Sequence, residues 1–307
     1  MHGTIGHLHL GAGLGALRER IDASAIPAPR RGHLRIATWN IREFGRRPRR
    51  PESLRYIAEI LGQFDLVSIV ELRENLAELA VVLGHLGPSW RALFTAPVFD
   101  AGGNRERIAY VFDSRRVTHT GLASMAVAPR TKRGTEYLAK ICWWRPPFLA
   151  SFRAGEAELL LLTAHIRWGT TVAERLPEIA LLAKWIETEL SKDPYAHARD
   201  TIVTGDFNVT SVRSSLYDAL LGHGLEVPAG LVGVHGSNLA KNKRYDQILR
   251  APGGRSAFTG RGGALDFCTG RGGMRALYPP SVSAREFTYE LSDHLPLWSE
   301  LRLRGSD

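Results

Sequence analysis

The chain is poor in sulfur, with only two cysteines, Cys142 and Cys268, among 307 residues. That is too few for a disulfide framework or a cysteine-rich zinc site. The two read as reduced, buried thiols of a cytoplasmic protein. No apolar run approaches the roughly 20 residues of a membrane-spanning helix. The early stretch "LHLGAGLGAL" is short, glycine-rich and has no Lys or Arg before it, which makes it a poor signal peptide. No internal repeat runs along the chain. Negative charge is also in short supply: 31 Asp and Glu face 40 Lys and Arg, a net charge of +9. Such a surplus suggests a polyanionic partner, either nucleic acid or an anionic membrane surface.

What is present is ordinary for a globular protein. Hydrophobic residues make up 44% and charged residues 23%, and the length allows one domain or two. Residues 1–33 form a leader: a short helix around "LGALRERI", then a Pro-containing linker, "PAPRRG". From residue 34 onward, strand and helix signals interleave. "HLRIATWNI", "DLVSIV", "ERIAYVF", "WWRPPFLASF", "AELLLLTAHI", "DTIVTGDFNV", "RYDQILR" and "LPLWSELRL" read as strands. Helical spacing links Leu54, Ile57, Ala58 and Leu61, then Leu72, Leu76, Leu79, Leu83 and Leu86. A third helix carries Leu176, Ile179, Ala183, Ile186 and Leu190, with Pro177 near its start. The segments "GRGGA" and "GRGGM" flank the apolar "ALDFC" and read as turns rather than an RNA-binding tail. The mixture predicts sheets covered by helices, with polar groups collecting where strands end.

Polar residues do collect there. Asn40 closes "IATWN", Glu71 closes "LVSIVE" and His165 closes "LLLLTAH". Asp206 and Asn208 follow "TIVTG", Asp246 opens "DQIL", and Asp293 with His294 precedes "LPLW". Singly, each has a bland explanation; an Asp in "GDFN" ordinarily caps its own turn. As a set they are another matter. The oxygens of Glu71, Asp206, Asp293 and the two asparagines suit a hard cation, magnesium with manganese also accepted. Two histidines for proton transfer or phosphate contact complete what metal-assisted phosphodiester hydrolysis requires.

The segments "IATWNI", "IVELRE", "RERIAYVF", "TAHIRWG", "TGDFNV", "RYDQIL" and "LSDHLPLW" occur in that order over residues 34–304. In this the chain resembles the endonuclease/exonuclease/phosphatase superfamily, particularly its pancreatic-deoxyribonuclease-like branch. The resemblance implies a four-layer α/β/β/α sandwich with two packed, mainly antiparallel sheets and the site at one sheet edge. It implies Glu71 as the principal metal carboxylate, with Asn40 and Asp293 completing or supporting the shell. Asp206 and Asn208 would orient the attacking water and the phosphate, or hold a second metal. His294 would touch the phosphate, oriented by Asp246, and His165 would be the second histidine, paired with Glu106. Which group deprotonates water stays open. Abasic-site endonucleases typically carry asparagine where His165 stands, so the pair points to the nonspecific deoxyribonucleases. Arg73 and Arg145 fall where that branch sets arginines against phosphates.

The run "REFGRRPRRPE" puts Arg46, Arg47, Arg49 and Arg50 just after Asn40. Charge runs are usually solvated faces, but beside a phosphodiester-cleaving centre this one reads as a track for a DNA backbone. Aromatic residues for stacking bases are not interleaved with it. The expectation is a magnesium-dependent, nonspecific DNA endonuclease. The alternatives are a phosphoinositide or other phosphoester hydrolase of the same fold, or a nuclease subunit active only with a protein partner docked on residues 1–33. Against a lipid substrate stands the lack of an evident apolar-aromatic hairpin in the sequence.

Overall fold

The computed structural model describes residues 7–233, 236–253 and 257–303, with side chains from residue 11 onward. The first six residues of the leader and residue 304 lie outside these. The chain opens with α1 (His7–Ala23), β1 (His33–Phe44), α2 (Pro51–Leu61), β2 (Leu66–Leu72), α3 (Ala77–Leu86), β3 (Trp90–Phe94), β4 (Arg107–Asp113) and β5 (Thr118–Met125). A small hairpin, β6 (Arg130–Arg133) and β7 (Glu136–Ala139), precedes β8 (Phe148–Ala154), β9 (Ala157–His165) and α4 (Val172–Thr188). Then come α5 (Pro194–His197), β10 (Asp200–Asp206), α6 (Ser215–Leu221), α7 (Ala229–Val232), β11 (Asp246–Arg250), β12 (Ala257–Ala264), α8 (Ala284–Glu290) and β13 (Leu297–Arg302).

One sheet has the order β12-β13-β1-β2-β4-β3 and the other β11-β10-β9-β8-β5. Pairing within them is antiparallel except for β1 with β2 and β9 with β10. Successive side chains on a strand face opposite ways, and here both faces are covered. On β1, Leu34 and Ile36 join Leu66, Tyr110, Phe152 and Leu161 in a core between the sheets. Ala37, Trp39 and Ile41 point the other way, into a core with Ile57, Val82 and Phe287 of α2, α3 and α8. Leu160, Leu162 and Val203 do the same on the second sheet, beneath Ile179 and Ile186 of α4 and Leu216 of α6. The result is helix, sheet, sheet, helix: the four-layer sandwich expected. Strands buried on both faces read as continuous apolar runs such as "LLLL".

The leader helix is longer than "LGALRERI" and lies on the first helical layer. Leu17 and Ile21 are buried there, Arg18 pairs with Glu59 at 2.7 Å, and Arg20 donates to the carbonyl of Phe267 at 2.6 Å. Several local expectations need correcting. Leu72 ends β2, and α3 starts only at Ala77. Pro177 lies inside α4, not near its start. The first RGG triplet is in a strand: Gly262 and Gly263 pair with Ser299 and Trp298. A Cβ on Gly262 would sit 2.9 Å from the Trp298 carbonyl and from Leu231 of α7, so glycine there serves close packing. Neither cysteine is a core residue, since Cys142 is exposed and Cys268 only half-buried. Cys142 follows the β6–β7 hairpin, whose strand residues are all exposed, with Tyr137 and Leu138 bare. An exposed hairpin is therefore present. Among the described residues, no helix is long and apolar enough to cross a membrane.

Candidate active site

Sheet register brings the strand-end residues together. Asp206, the last residue of β10, lies opposite His165 on one neighbour and Asp246 on the other. Gly205 makes that possible: at φ 127°, its Cβ would stand 1.9 Å from the Ala164 carbonyl, so no side chain fits. On the first sheet the pairing of β1 with β2 is regular to Asn40 and then shifts register, and β2 shifts against β4 before Leu72. These irregularities re-aim the strand ends. Seven described non-glycine residues have positive φ, and four of them, Glu43, Glu71, Asn104 and Asn208, line this one cleft. Strained backbone gathers where function demands a particular side-chain direction.

The cleft has a volume of about 450 Å³, and Asp206 sits at its base. Asp206 Oδ2 accepts from Asn40 Nδ2 at 3.0 Å, and Oδ1 from the Asn208 backbone N–H at 2.9 Å. Asn40 Nδ2 also donates to Glu71 Oε1 at 2.9 Å, while Glu71 Oε2 takes the Glu43 N–H at 2.9 Å. Two imidazoles flank this network. His165 Nδ1 is 2.7 Å from Glu106 and His294 Nδ1 is 2.7 Å from Asp246. Their Nε2 atoms lie 3.7 and 3.9 Å from Asp206 Oδ2. The turn carrying His294 is tied to β1: Ser292 donates to the Asn40 carbonyl at 2.6 Å and accepts the His294 N–H at 2.9 Å.

Charge and burial compete at these groups. Burial alone would strip the proton from His294, but the Asp246, Asp206 and Asp293 carboxylates outweigh it and raise its pKa to about 10. The ring is an imidazolium at neutral pH. Burial pushes the Asp246 carboxyl up, and the adjacent imidazolium opposes this. Burial likewise would raise Glu106, yet His165, Arg145 and Arg73 hold it down at about 2. Each histidine thus has an ionisable carboxylate behind it that fixes its orientation.

Two donor sets could receive a cation. Asp206, Asp246 and His294 offer atoms within 4.8 Å of one another, but a histidine nitrogen is among them, and Asp246 Oδ2 already holds His294 Nδ1, which leaves only Asp246 Oδ1 without a partner. The set Asn40, Glu71 and Asp293 fits better. It is all oxygen, as hard cations prefer, and Asn40 Oδ1 is buried with no hydrogen-bond partner. A buried acceptor left unsatisfied calls for a donor or a cation.

The arginines divide. Arg73 and Arg145 line the cleft, but both lean on Glu106: Arg145 Nε is 2.8 Å from it, and Arg73 Nη2 is 3.8 Å away and 3.3 Å from Glu43. Arg46 and Arg47 border an adjoining groove of about 700 Å³, which meets the cleft at Arg42 and Glu43. Arg49 and Arg50 do not join them, which corrects the expected track. Arg49 is wholly buried on Glu78 and the Arg42 carbonyl, and Arg50 turns inward to Glu286 and Glu290. Their partners lie on other helices, so the sequence run carries no sign of it. Sequence reasoning also missed Tyr245 and Trp168 in the cleft and Arg285 and Tyr289 in the groove. Tyr245 and Trp168 stand beside Asp246 and His165 inside the motifs "RYDQIL" and "TAHIRWG", and that nearness was the available signal.

The profile of the family described as "Endonuclease/Exonuclease/phosphatase family" matches residues 37–294. The chain belongs to that family. A deoxyribonuclease of Thioalkalivibrio sp. (strain K90mix) is 28% identical over 192 residues, covering 60% of this chain and 48% of the relative. The chain therefore spans about half the length of the curated relative it matches. The human Nocturnin catalytic domain with bound sulfate superposes with a TM-score of 0.59 at 15% identity, covering 89% of this chain and 96% of that one. The mannosyl-6-phosphatase of Bacteroides thetaiotaomicron VPI-5482 does so at 0.57 and 18%, covering 87% and 99%. At such identities the likeness is one of fold. Endonuclease/exonuclease/phosphatase proteins are divalent-metal-dependent hydrolases of phosphoesters, and the oxygen donor set around Asn40 agrees with that chemistry.

Proposed function

We propose that this protein is a magnesium-dependent phosphodiesterase that cleaves DNA with little sequence specificity. The observation that carries the reading is the pair of carboxylate-held imidazoles converging on Asp206 beside an all-oxygen donor set. The deoxyribonuclease relative and the basic groove bordered by Arg46 and Arg47 support DNA as the substrate. Glu71, Asp293 and Asn40 Oδ1 would hold the metal, which supplies positive charge at the phosphate and acidifies water. His294, kept charged by Asp246, donates from Nε2 to a phosphoryl oxygen and offsets negative charge as it builds. Asp206 accepts a hydrogen bond from the attacking water and points it at phosphorus. Asn208 positions Asp206 through its backbone N–H, its own amide being bonded to the Ile166 carbonyl at 2.8 Å. His165, fixed by Glu106, is placed to exchange a proton with the leaving or entering oxygen.

A second reading is hydrolysis of a phosphoester headgroup at a lipid surface, favoured by the exposed β6–β7 hairpin with Tyr137 and Leu138. The purified protein incubated with plasmid, single-stranded DNA, RNA and phosphoinositide vesicles, with magnesium, manganese or chelator, separates the two. DNA cleavage that needs the metal is expected, and Glu71→Gln should lower it by orders of magnitude while the fold survives. Cleavage that persists in excess chelator, or near-normal activity of Glu71→Gln, would sink the mechanism. Turnover of phosphoinositide without DNA cleavage would sink the substrate.

A further inference from the structure

At the mouth of the cleft, three residues beyond His165, Trp168 is 59% exposed. Tryptophan carries the largest apolar surface of any side chain and is ordinarily well buried. Its exposure here is built in. The backbone on its N-terminal side is pinned, with Arg167 N–H donating to Glu178 at 3.2 Å and the Ile166 carbonyl accepting from Asn208. The ring is braced as well. The Arg175 guanidinium lies 5.1 Å from its centroid, and its plane meets Tyr245 at 90° with centroids 5.7 Å apart. Tyr245 in turn tilts over the His294 ring at 5.4 Å. An aromatic file therefore leads from solvent, through Trp168 and Tyr245, to the imidazolium at the cleft base.

We propose that Trp168 is a stacking platform for an unpaired nucleobase beside the phosphate held in the cleft, so that single-stranded or locally opened DNA is the preferred substrate. The proposal rests on the phosphodiesterase reading above and specifies its substrate. A rigid exposed indole offers a π-face that any base can cover, giving affinity without sequence preference. In a duplex those faces are already stacked within the helix, so the platform selects unpaired bases. A sugar ring could also lie on an indole, but a sugar monophosphate would fill the cleft alone. The groove next to it presents Arg47 and Arg285, which have no carboxylate partner among the described residues. Cations set beyond the first phosphate suit a chain of phosphates.

The test compares wild type, Trp168→Ala and Trp168→Phe. Binding of a short labelled single strand and of the matching duplex is measured in chelator, where no cleavage occurs, and KM and kcat on both are measured with magnesium. Trp168→Ala should weaken single-strand binding by about tenfold or more, the range for loss of one base–aromatic stack. Duplex binding should change much less, Trp168→Phe should retain most of the affinity, and the single-strand loss should appear in KM rather than kcat. Equal losses on single strand and duplex, or none on either, overturn the proposal while the phosphodiesterase reading stands if wild type still cuts DNA. If Trp168→Ala impairs hydrolysis of mannose 6-phosphate but not single-strand binding, the ring is a sugar platform and the proposal falls. If wild type neither binds nor cuts DNA, both readings fall together.

Discussion

His294 shows how much one residue's chemistry depends on its neighbours. A free imidazole is mostly neutral at pH 7, yet this one stays charged because three carboxylates surround it. If Asp246 and His294 act as a unit, His294→Ala should lower turnover on the order of a hundredfold or more. Asp246→Asn should act in the same direction, and the double mutant should cost less than the sum. Fully additive losses in kcat would show that the two do not work together. The same pair sets a pH dependence. The folded-state pKa is raised from 6.5 to about 10, so the stability it contributes is complete below about pH 6.5 and is lost as pH rises through 10. Thermal unfolding in chelator should therefore show wild type weakening over that alkaline window. His294→Ala should flatten the decline, and an unchanged profile in that variant would assign the effect elsewhere.

The elements exist to hold such residues in place, and single positions test this. Gly205 is the next-to-last residue of β10, in left-handed backbone hard against Ala164. Gly205→Ala adds both strain and overlap with a carbonyl, and should destabilise by on the order of 3 kcal/mol in denaturant titrations. A change below the measurement error would mean that β9 and β10 can part without cost. In the basic loop, Arg49 and Arg47 make a contrasting pair. Arg49→Ala leaves Glu78 buried without its partner and should cost about 3–5 kcal/mol. Arg47→Ala, at an exposed position, should stay within about 0.5 kcal/mol. Strands such as β2, β4, β9 and β10 were legible as apolar runs, whereas β3, β5, β6, β7 and β12 were not read as strands. Helix limits were hard to read as well, since Leu72 continues a helical spacing from within β2 and only the pairing of Leu72 with Arg107 reveals the strand. The glycines of β12 looked like turn residues because their reason, the closeness of Leu231 and the Trp298 carbonyl, comes from distant parts of the chain.

Across the whole molecule, the net charge of +9 becomes useful only where cations face the same groove as the cleft. Arg46, Arg47 and Arg285 line that groove. Replacing all three with glutamine should weaken duplex DNA binding at every sequence. The slope of log affinity against log salt should flatten by roughly 0.9 unit for each phosphate that is no longer neutralised. Turnover at saturation should barely move, since these groups bind ground and transition states alike. A slope equal to that of wild type in a salt titration would remove the groove from DNA binding.

Strand-end chemistry, the order of the motifs and the two-layered apolar pattern were all present in the one-dimensional chain. They depend on short-range periodicity and on residue types that have few uses, as when Asp293 and His294 stand together before a strand. Tertiary structure alone decided which arginines of "GRRPRR" meet solvent, because Arg49 and Arg50 are claimed by Glu78, Glu286 and Glu290 on helices far along the chain. It also left the Trp168 ring bare while burying Trp39 completely. Burial and pairing depend on what stands opposite in space, and no local propensity records that.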